Sequence, residues 1–358
     1  MSLSDFLQTA MSQWMKNGGP EDDIVLSSRI RVARNIHDTP FPTLQTDTHA
    51  NYVIDQVTSA IATPEMQHLG TFELLRCVEM SPLDRQVLVE KHLISRDLAE
   101  GGKHGAVILR SDEVASILVN EEDHLRIQCI MPGLRLNEAW TLASQIDDAF
   151  EMTLAYAFHE QYGYLTACPT NVGTGIRASV MMHLPGLVLT GQISRMLAAI
   201  SQVGLTVRGI YGEGSEALGN IFQVSNQMTL GETEEEIIGN LSSVVSQLID
   251  HERNARRALA EENREALEDR VCRSFGILAY ARRMDSKETL QRLSDVRLGI
   301  DMGIIKGVSA GILKELMVMT QPAFLQKYYR QELHPAERDI RRAALIRERL
   351  RMDDTEVR

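Results

Sequence analysis

With 358 residues, 44% of them hydrophobic and 24% charged, the chain has the composition of an ordinary globular protein and is long enough for two domains. No apolar run approaches the roughly 20 residues that a membrane span needs. The first residues lack the basic start and apolar core of a secretory signal. These features favour a cytoplasmic protein and argue against a secreted or membrane-spanning one.

The charges are distributed unevenly along the chain. Residues 1–250 contain 31 acidic and 15 basic residues, whereas residues 251–358 contain 18 and 22. The acidic first part argues against general nucleic-acid binding there and favours encounter with basic partners. The four cysteines form no CxxC pair and the ten histidines no HExxH motif, so we predict no metal site made of protein side chains.

The order of apolar and polar residues predicts mixed helices and strands up to about residue 250 and helices beyond. The predicted strands include Arg29 and Arg31 and the segments 72–78, 105–109, 115–120, 178–184, 205–208 and 222–228; the predicted helices are 3–17, 48–61, 83–98 (one helix or two), 136–156, 192–203, 237–260, 261–283, 286–299, 310–318 and 335–351. This order predicts an α+β domain, residues 1–258, with helices against an antiparallel sheet, and an all-α domain, residues 259–358.

Two predicted loops carry residues that a site could use. A hairpin over 117–133 has the carboxylates Glu121, Glu122 and Asp123 at its tip, which is either a functional cluster or an exposed turn. The segment 209–214 has three glycines in six positions, which is typical of a mobile loop over a ligand or of a surface turn.

Five of the twelve arginines in the acidic part of the chain stand at predicted strand ends. They are Arg29, Arg31, Arg126, Arg177 and Arg208. Arg29 and Arg31 share one strand face, either as solvated charges on an edge strand or as part of a site. Several guanidinium groups suit a polyphosphate, because each is permanently charged and offers planar pairs of donors. Phosphoryl transfer needs mainly that the reacting groups be positioned and the phosphate charge neutralised, which such arginines can do. The sequence contains no P-loop, protein-kinase or dinucleotide motif, so the common nucleotide-binding folds are not indicated.

Four motifs occur in the order and at the intervals of a known family. They are SSRIRVARN at 27–35, NEEDHLRI at 120–127, CPTNVGTGIRASV at 168–180 and RGIYGE at 208–213. Together they resemble the catalytic domain of the phosphagen (guanidino) kinases. The short segment before the first motif and the added C-terminal helices resemble the bacterial protein arginine kinases of that family. The resemblance implies a sheet like that of glutamine synthetase, ATP with Mg²⁺ as phosphoryl donor, and a guanidinium nitrogen as acceptor.

The resemblance also assigns residues to the site. Those implied to bind the nucleotide are Ser27, Ser28, Arg29, Ile30, Arg31, His92, Arg126, Arg177, Ala178, Ser179, Val180, Met181, Arg208, Gly209, Ile210, Tyr211 and Gly212. Glu122 would orient the acceptor guanidinium and accept its proton, with Glu213 as its partner. Cys168 would contact the guanidinium, best as a thiolate. Magnesium would be held mainly by nucleotide phosphates and water.

In the C-terminal part, the resemblance implies that Arg338, Asp339 and Arg342 bind phosphoarginine; otherwise they belong to a solvated, ion-paired helix. Two departures from the family pattern, at Met181–His183 and at Tyr211, leave the finer contacts to substrate and nucleotide open.

The resemblance implies an enzyme that phosphorylates arginine side chains of proteins. Its implied partners are arginine-containing protein substrates, among them a stress-gene repressor and misfolded proteins, a zinc-containing activator protein, a Clp-type chaperone and protease, and a second copy of the chain, with neither nucleic acid nor membrane as a direct partner. Two alternatives stay open. One is a kinase for free arginine or another small guanidino compound, and the other is a non-catalytic adaptor that binds phosphoarginine.

Overall fold

A computed structural model gives the fold for residues 3–8, 11–16, 18–102, 104–209 and 217–356. The helices within these ranges are α1 (Leu3–Gln8), α2 (Asp47–Ile61), α3 (Pro64–His68), α4 (Pro82–Glu90), α5 (Arg96–Gly101), α6 (Leu136–Glu151), α7 (Pro185–Leu189), α8 (Ile193–Gln202), α9 (Glu234–Glu262), α10 (Arg264–Tyr280), α11 (Ser286–Asp301), α12 (Ile312–Met319), α13 (Pro322–Tyr329) and α14 (Pro335–Glu356). The strands are β1 (Val25–Arg34), β2 (Phe72–Arg76), β3 (Ala106–Arg110), β4 (Ala115–Val119), β5 (Leu125–Pro132), β6 (Phe158–His159), β7 (Gly163–Tyr164), β8 (Ile176–His183), β9 (Leu205–Arg208) and β10 (Ile221–Asn226).

Most of these strands join in one antiparallel sheet, in the order β2-β3-β4-β5-β1-β8-β10-β9. Strand β1 lies in the middle, paired with β5 on one side and with β8 on the other. The short strands β6 and β7 form a separate hairpin. The antiparallel sheet with helices against it confirms the predicted α+β class.

One face of the sheet is covered by α2, α6 and α9. The strands contribute alternate residues to this core, such as Ile30 and Val32 in β1 and Ala178 and Val180 in β8, all of them fully buried. Helix α9 begins after a Thr233 cap and carries three glutamates in its first turn, where the positive end of the helix dipole favours them.

The opposite face of the sheet is covered at two places. Helices α4, α5 and α13 pack over β3 and β4, where Val107, Leu109 and Leu118 are buried. Helices α10, α11 and α12 pack over β8 and β10 through Met181 and Ile221. Beside these two covers, a row of polar side chains crosses the middle strands, and the site lies there.

Several predicted elements differ from the structure. In place of one helix over 3–17, the described residues form α1 and a separate 3₁₀ turn, Gln13–Met15. The short helices α3 and α13 escape prediction, because five to eight residues give too few turns for a helical period to show. The predicted boundary at residue 258 falls inside α9, and the division into two domains stays a prediction. Within the described ranges, no helix is both long and apolar enough to cross a membrane.

Candidate active site

Arginine side chains from neighbouring strands line a cavity of about 430 Å³ on the partly covered face. Arg29 and Arg31 of β1 project to the same side, because alternate residues of a strand share a face. The register of the sheet places Arg31 opposite Arg177 of β8. Arg126 of β5 and Arg208 of β9 complete the set. The structure thus brings all five predicted arginines together in what we call the donor cavity.

The guanidinium groups of the donor cavity repel one another. Burial, followed by the charges of Arg177 and Arg126, lowers the pKa of Arg29 to about 10. Burial, followed by the charges of Arg29, Arg126 and Arg177, lowers the pKa of Arg31 well below its usual range, although Glu121 acts in the opposite direction. The Nε atom of Arg31 is buried and has no hydrogen-bond partner among the described residues. A bound polyanion would relieve the repulsion between the guanidinium groups and accept hydrogen bonds from their N–H groups.

His92 follows α4 and faces the same cavity. Its backbone is left-handed (φ 60°), and its carbonyl oxygen accepts a hydrogen bond from the Gln128 side chain at 2.8 Å. The ring packs edge-on against Trp14, with 5.4 Å between ring centroids. Burial and the charge of Arg29 lower the pKa of His92 to about 3, so its ring is neutral at physiological pH. A neutral ring can contact a base or ribose without adding to the positive charge.

A second cavity, also of about 430 Å³, adjoins the first and shares four of the five predicted arginines. Glu122 and Cys168 line only this second cavity, whereas Arg29 and His92 line only the first. We call the second one the acceptor cavity. Glu122 and Cys168, which are predicted to contact the guanidinium, are therefore separated from His92, which is predicted to bind the nucleotide, by a common arginine wall.

The acidic hairpin between β4 and β5 places two carboxylates against Arg126. Glu121 Oε2 lies 2.7 Å from Arg126 Nη1, and Glu122 Oε2 lies 3.0 Å from Nη2. The Glu121 side chain is only 2% exposed and also accepts a hydrogen bond from the Ser95 hydroxyl. The Glu122 side chain is 41% exposed. Glu121 therefore holds the arginine in place, while Glu122 is accessible to a second guanidinium.

Asp123, the next residue of the hairpin, connects it to the cysteine loop. Its Oδ1 accepts hydrogen bonds from the backbone N–H of Ala167 at 2.7 Å and from the side-chain amide of Asn35 at 2.6 Å. Asp123 is fully buried, and burial raises the pKa of its carboxyl group. The neighbouring Cys168 is partly buried, with its Sγ 3.1 Å from the hydroxyl of Thr170. Asp123 thus fixes the distance between the acidic hairpin and the cysteine.

Some residues predicted to bind the nucleotide do not reach the cavities. Ile30, Ala178 and Val180 point to the opposite face of the sheet and belong to its core, as the alternation of strand residues requires. Ser28 is also buried, and its hydroxyl donates to the carbonyl oxygen of Gly133 at 2.8 Å. This bond ties β1 to the turn after β5.

The remaining predicted residues of the site divide into two groups. Ser27, Ser179, Met181 and Gly209 are buried and line neither cavity. Ser179 still accepts a hydrogen bond from Nε of Arg29, at 3.4 Å. Ile210, Tyr211, Gly212 and Glu213 lie outside the described residues.

The residues predicted to bind phosphoarginine lie in α14 and line neither cavity. Arg342 is buried and donates hydrogen bonds to the carbonyl oxygens of Thr320 and Met284, at 2.7 and 2.9 Å, and to Asp339 at 2.8 Å. Arg338 is partly exposed. Arg342 therefore connects three segments of the helical part, a role that the sequence does not predict.

Gln128 and Gln223 line the donor cavity, although neither is predicted from the sequence. Gln128 stands two residues after Arg126, so the two-residue period of β5 is a signal that could have indicated it. Asp123 gives no such signal, because its partner Ala167 is distant in the chain. Among the described residues, no group of three or more His, Cys, Asp or Glu side chains is placed to hold a metal ion.

Comparisons with known proteins agree with this geometry. A family model described as ATP:guanido phosphotransferase, C-terminal catalytic domain, matches residues 52–255, and one described as Protein-arginine kinase McsB C-terminal domain matches residues 264–358. The duplicated taurocyamine kinase from Schistosoma mansoni has a similar structure, with a TM-score of 0.58 and 25% identity over 69% of this chain and 35% of that one. Lombricine kinase is similar in fold, with a TM-score of 0.56 and 23% identity over 68% and 70% of the two chains.

Curated relatives are similar over nearly the whole chain. The protein-arginine kinase of Brevibacillus brevis is 58% identical over 99% of this chain and 100% of its own length. Those of Halalkalibacterium halodurans and Bacillus subtilis are 60% and 57% identical over 99% of this chain, and the matches cover 99% and 97% of their own lengths. These similarities confirm the resemblance that the four sequence motifs carry. The chain therefore belongs to the protein-arginine kinase family and contains the ATP:guanido phosphotransferase catalytic domain.

Proposed function

We propose that the chain transfers the γ-phosphoryl group of ATP to a guanidinium nitrogen of arginine side chains in proteins. The observation that carries this proposal is the pair of cavities with a common arginine wall, one containing His92 and the other Glu122 and Cys168. The matching ATP:guanido phosphotransferase model supports ATP as the donor. The names of full-length relatives support protein arginine as the acceptor.

The five predicted arginines in the donor cavity bind the nucleotide phosphates. Arg29 lines the donor cavity but not the acceptor cavity, and it faces the phosphates nearer the nucleoside. The other four predicted arginines line both cavities and face the transferred group. Planar pairs of N–H donors hold phosphate oxygens in a fixed orientation and neutralise the charge that is redistributed during transfer. His92 contacts the base or the ribose.

Magnesium accompanies the nucleotide in this proposal. Arginines line the donor cavity, and the described residues provide no cluster of carboxylates or histidines for the ion. The ion would be held by phosphate oxygens and water, as Mg²⁺ commonly is in nucleotide sites, and it would supply further neutralisation of phosphate charge.

Glu122 orients and deprotonates the acceptor in the second cavity. A guanidinium has a pKa above about 12, so its nitrogen is a weak nucleophile until a carboxylate takes a proton from it. As the N–P bond forms, the bond from the γ-phosphorus to the bridging oxygen breaks, and ADP leaves with that electron pair. The proton passes from the nitrogen to Glu122. Cys168 contacts the guanidinium from the same wall, and Glu213 is the second carboxylate predicted from the sequence.

Finer points of the proposal depend on the resemblance of the sequence. The chain works in the cytoplasm as a homodimer through its helical domain, and a zinc-containing activator protein stimulates it. Modified proteins, among them a stress-gene repressor and misfolded proteins, pass to a Clp-type chaperone and protease. Arg338, Asp339 and Arg342 bind phosphoarginine as a regulatory signal.

Incubation with ATP labelled at the γ-phosphate, Mg²⁺ and a basic protein tests the proposed activity. Phosphate on a guanidinium nitrogen hydrolyses in acid, whereas phosphate on a hydroxyl survives, so the label on the protein should be lost in acid. A parallel reaction offers free arginine instead. Label on free arginine with none on the protein would favour a kinase for small guanidino compounds. Label on neither would favour the phosphoarginine-binding adaptor and would overturn the proposal.

A further inference from the structure

An aromatic and apolar groove lies beside the loop that carries Cys168. The groove encloses about 290 Å³ between the β6–β7 hairpin and the segment 229–234. Phe158, Tyr162 and Leu230 line it and are 55%, 46% and 48% exposed. Met228, just before the segment, is 65% exposed. Large apolar side chains that are clustered and exposed in this way mark a surface for interaction.

Close backbone contacts hold the walls of the groove together. Tyr164 and Gly173 exchange backbone hydrogen bonds of 2.8 and 3.3 Å, which join the hairpin to the cysteine loop. The Thr229 hydroxyl donates to the carbonyl oxygens of Thr170 and Val172, at 3.0 and 2.7 Å. A Cβ atom on Gly173 would clash with the Thr229 carbonyl oxygen. Because glycine permits this approach, the hairpin, the loop and the segment form one preformed unit.

The groove and the acceptor cavity are lined by neighbouring residues of the same two segments. Within the cysteine loop, Asn171 lines the acceptor cavity and Gly173 lines the groove. In the segment that follows β10, Gln227 lines the acceptor cavity and Thr229 lines the groove, with the exposed Met228 between them. A polypeptide whose arginine enters the acceptor cavity would therefore extend over these residues into the groove within a few residues of that arginine.

The charge of this part of the chain favours a basic polypeptide. Residues 136–252 contain thirteen acidic residues and three basic ones, Arg177, Arg195 and Arg208. Two of these three arginines line the cavities. Glu232 and Glu234 line the groove itself. An acidic rim around an apolar centre attracts segments that carry both basic and apolar side chains.

We propose that this groove binds the polypeptide that flanks the substrate arginine and receives one apolar or aromatic side chain from it. The proposal rests on the proposed protein-arginine kinase activity and adds the surface that selects a protein segment over free arginine. The occupant is an extended segment with a leucine or an aromatic residue two to four residues from the arginine, and basic residues near it. Such a segment is exposed in an unfolded protein and buried in a folded one.

Two dye-labelled peptides test the groove by fluorescence anisotropy, a measurement of binding that does not depend on phosphoryl transfer. Both contain one central arginine, and they differ by leucine or alanine three residues away. Tyr162→Ser and Leu230→Ser should each weaken binding of the leucine peptide by about fivefold, as expected for the loss of one apolar contact. Binding of the alanine peptide should change by less than about twofold. Tyr52→Ser is the matched control, because Tyr52 is 48% exposed on α2 and lines neither cavity nor groove.

Equal binding of the leucine peptide by wild type and both variants would overturn the groove as a substrate surface. A change in sedimentation of Tyr162→Ser from that of wild type would also overturn it, because a second copy of the chain would then occupy the groove. Peptide binding that depends on the groove, in a wild-type protein that transfers no phosphate, would refute the proposed activity and leave the groove supported. The two hypotheses can thus fail separately.

Discussion

Glu122 and Arg126 form an ion pair, with 3.0 Å between Oε2 and Nη2, at the boundary between the donor and acceptor cavities. Arg126 lines both cavities, whereas Glu122 lines the acceptor cavity alone. The buried Glu121 holds the other nitrogen, Nη1, at 2.7 Å. The guanidinium of Arg126 therefore contacts Glu122, the carboxylate that we propose for the substrate guanidinium. This ion pair shows how Glu122 can bind a guanidinium group.

Glu122→Gln should lower the rate of transfer by about 100-fold or more, because the amide cannot accept the guanidinium proton. The affinity for ATP should change by less than about threefold, since Glu121 still holds Arg126. Acid-labile label on a protein measures transfer, and calorimetry measures nucleotide binding. Glu79→Gln is the control, because Glu79 is exposed and lines neither cavity. A parallel loss of ATP affinity would assign Glu122 to the donor side.

Arg31→Gln should weaken ATP binding by at least about tenfold and raise the melting temperature of the nucleotide-free protein by about 2 °C. Burial and the charges of its neighbours already oppose the cationic form of Arg31 by lowering its pKa, so the loss of this charge relieves repulsion. Melting curves with and without ATP measure both effects. Arg195→Gln, which changes an exposed arginine outside the cavities, should do neither. A lower melting temperature for Arg31→Gln would show that Arg31 stabilises the fold.

Asp123→Ala should lower the free energy of unfolding by about 2–3 kcal/mol, because the Ala167 N–H and the Asn35 amide lose their buried acceptor. It should also raise the KM for the protein substrate while leaving ATP affinity unchanged, since Asp123 fixes the Cys168 loop. Asp123→Asn keeps an acceptor oxygen and should show smaller changes. Denaturant unfolding and steady-state kinetics measure these effects. Loss of stability with an unchanged KM would limit Asp123 to a structural role.

The sequence predicted the side chains of the donor cavity better than their supports. The two-residue period of a strand placed Arg29 and Arg31 together, and the predicted strand ends and the family motifs indicated the other arginines. The assignment of Ile30 and Ala178 to nucleotide binding came from taking whole motifs, whereas alternation sends these two side chains into the core. The contact of Asp123 with the cysteine loop joins residues 44 positions apart, which no local pattern shows.

Glu90 connects the end of α4 to the first turn of α13, a helix that the sequence did not predict. Its two carboxylate oxygens accept hydrogen bonds from the backbone N–H groups of Ala323 and Phe324, at 2.8 and 2.7 Å. Burial raises the pKa of Glu90 to about 7, although these hydrogen bonds and the charges of Arg342 and Arg338 act in the opposite direction. The folded state therefore binds this proton more tightly than the unfolded chain does.

The contribution of the Glu90 proton to stability should be full below a pH of about 4.5 and should be lost as the pH rises through about 7. The glutamine of Glu90→Gln does not titrate. As the pH rises from about 4.5 to about 7, the melting temperature of wild type should therefore decrease relative to that of this variant. Melting curves in a series of buffers measure the difference. Glu100→Gln, at an exposed position, should show a constant difference. A constant difference for Glu90→Gln would contradict the raised pKa.

Arg342→Ala should lower the free energy of unfolding by about 3 kcal/mol, because two buried carbonyl oxygens and Asp339 lose their donor. Arg338→Ala should cost less than about 1 kcal/mol, as is usual for a partly exposed charge. Only the Arg338 variant can therefore separate phosphoarginine binding from folding: it should lose the response of activity to added phosphoarginine at an almost unchanged melting temperature. Arg341→Ala is its control, because Arg341 is exposed on the same helix. A wild-type response in Arg338→Ala would remove this residue from the regulatory site.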